Sequence, residues 1–300
     1  MSAPQSSFKA SAPDATASSV ARLGAIAYLN VAPTYDWITR AAHQGELPNI
    51  ELVEGTPARM NRALEAGVVD ISNVSSFAFG SHAAEWLLMP GLSVSAHGRV
   101  DSVLLFSWRA DWRDLDGGSI ALTDHSTTSV ELTRLLAERR YRARPRYVTV
   151  APDLDAMLAE HDAALLIGDI ALREGWLRRE IAGHGRPYVF DLAAEWQAWT
   201  GLPFVFAVWA ARGDRVEAIR TAQVTRLLRE STDRGLADLP RLAADASARL
   251  GLPEDVCANY LRLLKYRLTE HELAGLRRFL EMAIPGFSWA SVQMLDGRPH

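Results

Sequence analysis

From Leu23 onward, short apolar runs alternate with segments whose apolar positions recur every three to four residues. LGAIAYL (23–29) reads as a buried strand, TYDWITRAA (34–42) as a helix following Pro33, and IELVEG (50–55) as a second strand. Thr56 and Pro57 supply an N-cap and a first-turn proline for a helix through ARMNRALEAG (58–67), which Gly67 stops. VVDISNV (68–74) is a third strand, ending at Ser75 and Ser76. Strands alternating with helices of about ten residues predict βαβ units and a mainly parallel sheet, with ligands at the carboxyl ends of its strands.

Two long apolar strands, SVLLFSW (102–108) and LPFVFAVWAA (202–211), bracket a compact set of further elements: SIALT (119–123), a helix from about Thr127, RYVTV (146–150), DLDAMLAEH (153–161), AALLIGD (163–169) and PYVFDL (187–192). That set suffices for a domain of its own. The expected division is a discontinuous first α/β domain, 21–107 and 207–300, with a second α/β domain, 108–206, inserted into it. After Arg212 the chain turns helical, with amphipathic stretches near 214–233, 236–250, 253–266 and 269–284, the last opened by a capping box from Thr269 to Glu272. Two lobes joined by crossing strands leave a cleft between them, where small ligands usually bind.

Composition narrows the class. The 300 residues are 48% hydrophobic, which fits a globular chain with a substantial core and excludes disorder. Residues 1–20, rich in Ser, Ala and Pro, lack the apolar stretch of a secretory signal and read as a flexible tail. No apolar run approaches the roughly 20 residues that cross a bilayer, so the expectation is a cytoplasmic protein without a membrane partner. A formal net charge of −4 gives no basic field for nucleic acid. The single cysteine, Cys257, reads as a core thiol on an amphipathic helix.

The densest chemistry lies in LTDHSTTSVELTRLL (122–136), where a strand gives way to a helix through Ser126, Thr127, Thr128 and Ser129. Helix starts carry free N–H groups, and four hydroxyls beside them suit a small carboxylate. Thr128 also stands three residues before Glu131, the capping-box spacing, so its hydroxyl can equally serve its own helix. Ser75 and Ser76 allow the same two readings, carboxylate donors or caps for a helix at Phe77. Other strand ends offer Asn30, whose amide both donates and accepts, Arg99 as a cation for an anion or as a solvated loop residue, and the Gly168–Asp169 pair. For Asp169 capping is favoured, with the Gly168 backbone left to a ligand. Pro203 and Phe204 are candidates for an apolar lining and a hinge, within a Trp-rich stretch that reads as core or as a ring-binding wall. His97, His125 and the pair His82 and Glu85 show no metal-binding spacing, so no metal is expected. His125 remains a possible general base.

Taken in order, AYLNVAPTY (27–35), EGTPARMNRALEAGVVDISNVSSFAF (54–79), LLMPGLSVSAHGRVDSVLLFS (87–107), the 122–136 segment, ALLIGD (164–169) and EWQAWTGLPFVFAVWA (195–210) resemble the chorismate dehydratase family of the futalosine route to menaquinone. The resemblance implies a fold like that of the type II periplasmic binding proteins, with the ligand cleft between lobes and a helical C-terminal part. It implies a hydro-lyase reaction without cofactors: loss of water from the dicarboxylate chorismate to give 3-[(1-carboxyvinyl)oxy]benzoate. It also favours a catalytic role for Asn30, holding either the departing hydroxyl or the enolpyruvyl carboxylate; our hypothesis is that the substrate's own side-chain carboxylate is the base and Asn30 fixes its orientation. Ser75, Ser76 and Ser126 to Ser129 would hold the two carboxylates. A sister enzyme of the same pathway, 1,4-dihydroxy-6-naphthoate synthase, and a non-catalytic carboxylate binder are the rival readings.

Overall fold

The computed structural model describes residues 19–181 and 185–296, so nearly all of the expected N-terminal tail lies outside the described residues. Strand β1 (Ala21–Ala25) is followed by a 3-10 turn at Leu29–Val31 and helix α1 (Ala32–His43). The first strand is thus shorter than expected, because Leu29 and Val31 are buried as anchors of the turn instead of continuing the strand. Then come β2 (Ile50–Glu54), α2 (Pro57–Glu65), β3 (Ile71–Ser75), α3 (Ser76–Ser81) and β4 (Trp86–Ala96). Thr56 caps α2 as expected, its hydroxyl accepting the Arg59 amide, with Pro57 in the first turn.

The middle of the chain forms β5 (Val103–Ser107), β6 (Ser119–Thr123), α4 (Thr127–Leu135), β7 (Arg146–Val150), α5 (Leu154–Glu160), β8 (Ala163–Ile167), α6 (Gly168–Leu177), β9 (Tyr188–Asp191) and α7 (Leu192–Thr200). After β10 (Phe204–Arg212) the chain is mostly helical: α8 (Val216–Thr221), α9 (Val224–Ala237), α10 (Leu239–Leu250), α11 (Glu254–Leu263) and α12 (Glu270–Ala283), with two-residue strands β11 (Leu264–Lys265) and β12 (Gln293–Met294). The capping box expected at Thr269 and Glu272 opens α12.

Two sheets result. The first has the order β11-β4-β10-β3-β1-β2, with β12 beside β4, and the second β7-β6-β8-β5-β9. In the first, β1 runs parallel to β2 and β3, while β10 enters antiparallel between β3 and β4. In the second, β6 is parallel to β7 and β8, and β5 is antiparallel to both β8 and β9.

This pairing corrects the expected boundaries. The strand 103–107, assigned above to the first unit, belongs to the second sheet, and the strand from Phe204 is already in the first. The chain therefore crosses at 97–102 and at 201–203. An apolar strand buried on both faces looks the same in either sheet, so only its partners assign it.

Both crossings are fixed by named contacts. The Asp191 carboxylate caps α7 by accepting the Ala193 and Ala194 amides at 3.0 and 3.1 Å. Its other oxygen accepts the Val100 and Asp101 amides at 2.8 and 2.7 Å, pinning the first crossing to the second lobe. At the second, α12 packs so closely that a Cβ on Gly275 would lie 2.2 Å from the Pro203 carbonyl oxygen. Trp196, Phe204 and Phe279 interlock edge to face behind it at 5.0–6.1 Å, and Trp196 Nε1 donates to the Pro203 carbonyl. The Trp-rich stretch is core here: Trp196 and Phe204 are fully buried, each such side chain stabilising the fold by roughly 1.5–3 kcal/mol.

Candidate active site

A cleft enclosing about 830 Å³ of empty space, its open mouth included, lies between the two sheets. Asn30, Ser75, Ser126, Thr127, Ser129 and Gly168 of the expected set line it. Lysine and arginine are absent from its described lining. The groups there that can meet an anion are helix dipoles, hydroxyls, side-chain amides and the His125 ring.

Three helices of nine or ten residues supply those dipoles. Pro57 and Ala58 at the start of α2, Ser126 and Thr127 at the start of α4, and Gly168 at the start of α6 all reach the cleft. A helix start carries a partial charge of about +0.5 and first-turn N–H groups without partners in the helix. Gly168 opens α6 at φ +66°, a backbone conformation that a side chain would strain, and it sits against the Tyr28 ring.

Asn30 is held by its neighbours. Leu29 and Val31 on either side are 1% exposed, and the Val31 amide closes the turn onto the Tyr28 carbonyl at 3.2 Å. The Asn30 amide oxygen is buried and accepts no hydrogen bond. A buried acceptor without a donor costs about 1–3 kcal/mol, so the free site is built at the expense of stability.

The hydroxyl run divides its work in a way the spacing did not give. Ser126, not Thr128, caps α4, its Oγ accepting the Ser129 amide at 3.2 Å. Thr128 faces the first lobe, where its Oγ1 accepts the Phe77 amide at 2.9 Å. Thr127 Oγ1 meets Ser75 Oγ at 3.2 Å, and Ser75 Oγ also caps α3 through the Ala78 amide at 3.3 Å. Thr128 is buried and does not line the cleft, because the start of α3 sits on it.

Five further expectations are corrected. Ser76 is fully buried and donates to the Val205 carbonyl at 2.7 Å, away from the cleft. Arg99 is exposed outside the cleft and pairs with Asp101, Nε to Oδ1 at 2.9 Å. Asp169 neither caps α6 nor lines the cleft; it pairs with Arg249 of α10 at 2.9 Å, a contact between the lobes. Pro203 and Phe204 are consumed by the core around Trp196. Phe206 and Ala207, next along β10, line the cleft instead.

Sequence reasoning also missed Asn61, Asn73, Ser102 and Tyr260, all of which line the cleft. Asn73 carried a readable signal, an amide side chain in the middle of the buried strand β3. Asn61 and Tyr260 sit on amphipathic helices, where nothing local marks them. Tyr260 is 1% exposed, and its hydroxyl donates to Ser102 Oγ at 3.0 Å. Burial pushes the phenols of Tyr28 and Tyr260 up, and the nearby Asp169 carboxylate acts in the same direction.

His125 lies at the cleft beside Asp124, with both side chains substantially exposed. His97 pairs with Glu272 of α12, and His82 stacks on Trp86 at 4.3 Å. Cys257 is buried, which pushes its thiol up. No cluster of three or more His, Cys, Asp or Glu suited to a metal occurs among the described residues. No helix among them is long and apolar enough to cross a membrane.

Residues 21–284 match a family described as menaquinone biosynthesis. A chorismate dehydratase from Thermus thermophilus is 35% identical over 268 residues, covering 86% of this chain and 93% of the relative. Among solved structures, a protein of Archaeoglobus fulgidus superposes with a TM-score of 0.67 at 21% identity, covering 89% of this chain and 97% of that one. The periplasmic aliphatic sulphonate binding protein SsuA of Escherichia coli superposes with a TM-score of 0.63 at 17% identity, covering 88% and 91%. The fold is therefore of the periplasmic-binding-protein type, two α/β lobes around a ligand cleft, as the sequence led one to expect.

Proposed function

The chain belongs to the chorismate dehydratase family of menaquinone biosynthesis, and we propose that its cleft removes water from chorismate to give 3-[(1-carboxyvinyl)oxy]benzoate, a hydro-lyase reaction. Asn30 carries the proposal. Its buried, unpartnered amide oxygen needs a donor, and chorismate brings one hydroxyl on its ring. The two carboxylates of chorismate fit the three helix starts, whose partial charges together, roughly +1.5, offset most of a dianion.

The chemistry then needs little from the protein beyond placement. The proton on the ring carbon that bears the enolpyruvyl ether passes to the enolpyruvyl carboxylate. The C–H electrons form the new ring double bond as the neighbouring C–O bond breaks, and the departing hydroxide takes the proton to leave as water. Aromatisation makes the step favourable, and fixed dipoles stabilise the charge that develops. Asn30 holds the hydroxyl in line, Ser126 and Thr127 with the α4 amides hold a carboxylate, and Phe206 and Ala207 pack on the ring. We propose the cytoplasm as the site of this reaction, in keeping with a biosynthetic role.

Purified protein incubated with chorismate and followed for the aromatic product tests the proposal, the expected result being stoichiometric conversion without added cofactor. Asn30→Ala should lower kcat on the order of a hundredfold or more, the usual effect of removing one preorganised polar group. Near-normal turnover by that variant would sink the role given to Asn30. A substrate base predicts a pH–rate profile flat around neutrality, whereas an ionisation there that disappears in His125→Gln would transfer the role to His125.

A further inference from the structure

We infer that Tyr260 is a positioning residue for this reaction, holding the Ser102 hydroxyl so that its hydrogen is directed into the cleft. The inference rests on the dehydratase reading above. Tyr260 comes from α11, far along the chain from Ser102, and the two meet at the end of the first crossing between lobes.

A serine hydroxyl has one hydrogen and two lone pairs. Ser102 Oγ accepts the phenolic hydrogen at 3.0 Å, which leaves its own hydrogen to be donated elsewhere. The Ser102 carbonyl is already occupied by the Gly168 amide at 2.7 Å, and the preceding residues Val100 and Asp101 are held by Asp191. The serine backbone is thus immobilised, and Tyr260 sets the remaining freedom, the rotation of the hydroxyl. Both residues line the cleft, so an oxygen of the bound dianion is the acceptor within reach.

The direction of the bond follows from burial. Tyr260 is 1% exposed, and a phenol enclosed in this way must place its hydrogen on an available acceptor, here Ser102. Burial, with Asp169 and Asp101 nearby, keeps the phenol protonated, although the Ser102 hydrogen bond pulls the other way. A fixed donor costs no reorganisation when charge develops on the substrate.

Steady-state kinetics and thermal midpoints of the wild type, Tyr260→Phe, Ser102→Ala and the double variant test this. Tyr260→Phe keeps the ring and should lower kcat about tenfold with KM within about twofold, the signature of misplacing a group that acts in the transition state. In the Ser102→Ala background the same change should cost no further activity. There it should raise the thermal midpoint, because it removes a buried hydroxyl left without an acceptor. Full kcat in Tyr260→Phe, additive losses in the double variant, or no rise in midpoint in the Ser102→Ala background would each overturn the inference while the dehydratase reading stands. Absence of turnover by the wild type would overturn both.

Discussion

Helices α3 and α4 both begin in runs of small hydroxyl residues, Ser75–Ser76 and Ser126–Ser129, yet they do different work. At α3 the first-turn groups are committed within the protein: Phe77 N–H to Thr128, Ala78 N–H to Ser75, and the Ser76 hydroxyl to the Val205 carbonyl. At α4 Ser126 serves as the cap and Thr128 is given to the Phe77 amide, while Ser126, Thr127 and Ser129 line the cleft. The same residue types make a latch at one start and line the cleft at the other, where the proposed function seats a carboxylate. The two starts meet each other through Thr127 and Thr128, and what separates them is how much of each first turn is left over: α4 keeps Ser126, Thr127 and Ser129 on the cleft, whereas α3 keeps only Ser75 there.

Charge placed at each start would break this contrast most sharply. Ser126→Asp keeps a good N-cap but sets a carboxylate in the proposed anion seat. KM for chorismate should rise at least about a hundredfold while the thermal midpoint stays nearly unchanged. An unaltered KM in a steady-state assay would show that α4 holds no carboxylate. The latch is probed by Thr128→Val, which keeps the shape and leaves the Phe77 amide without its acceptor. It should cost about 1–3 kcal/mol in urea unfolding, and a stability equal to wild type would mean that the contact between lobes contributes nothing.

A third helix start supplies its own anion. At α12 the Glu272 carboxylate accepts the Thr269 amide at 3.0 Å and bonds to the Thr269 hydroxyl and the His97 ring. Burial pushes this carboxyl up, but those hydrogen bonds outweigh it and hold it below the usual glutamate range. A depressed acid stabilises the fold fully above its ordinary value, near about 4.3, and that contribution is lost as pH falls through the lower folded value. Glu272→Gln should therefore flatten the fall in unfolding free energy between about pH 5 and lower pH, and an unchanged slope would refute the assignment. The smallest effect is expected at Arg99. Exposed and paired with Asp101, it should cost less than about 0.5 kcal/mol when changed to Ala, with KM unaltered in the same assay.

Much of the architecture was legible because it is local. The caps at Thr56 and Thr269, the strands at 119–123 and 146–150 and the helical C-terminal part all follow from periodicity and from which side chains satisfy helix ends. The lining of the cleft was legible where a residue follows a strand and faces open space, as Asn30, Ser75, Ser126, Thr127, Ser129 and Gly168 do. It was misread where a neighbouring element occupies that space. Ser76 and Thr128 were taken up by β10 and α3, Asp169 by Arg249, and Pro203 and Phe204 by the core around Trp196.

Ser102 and Tyr260 mark the limit of sequence reading most clearly. One heads an apolar strand and the other lies on the inner face of an amphipathic helix, so each by itself reads as packing. Sequence alone determined most of the elements, the caps at Thr56 and Thr269, and the family, because these depend on residues within a few positions of each other and on their order. Only the tertiary structure decided which strand joined which sheet, which hydroxyls faced the cleft and which faced a helix. Hydrogen bonds between distant segments are made by whichever groups the fold brings within about 3 Å, and chain spacing does not encode that distance.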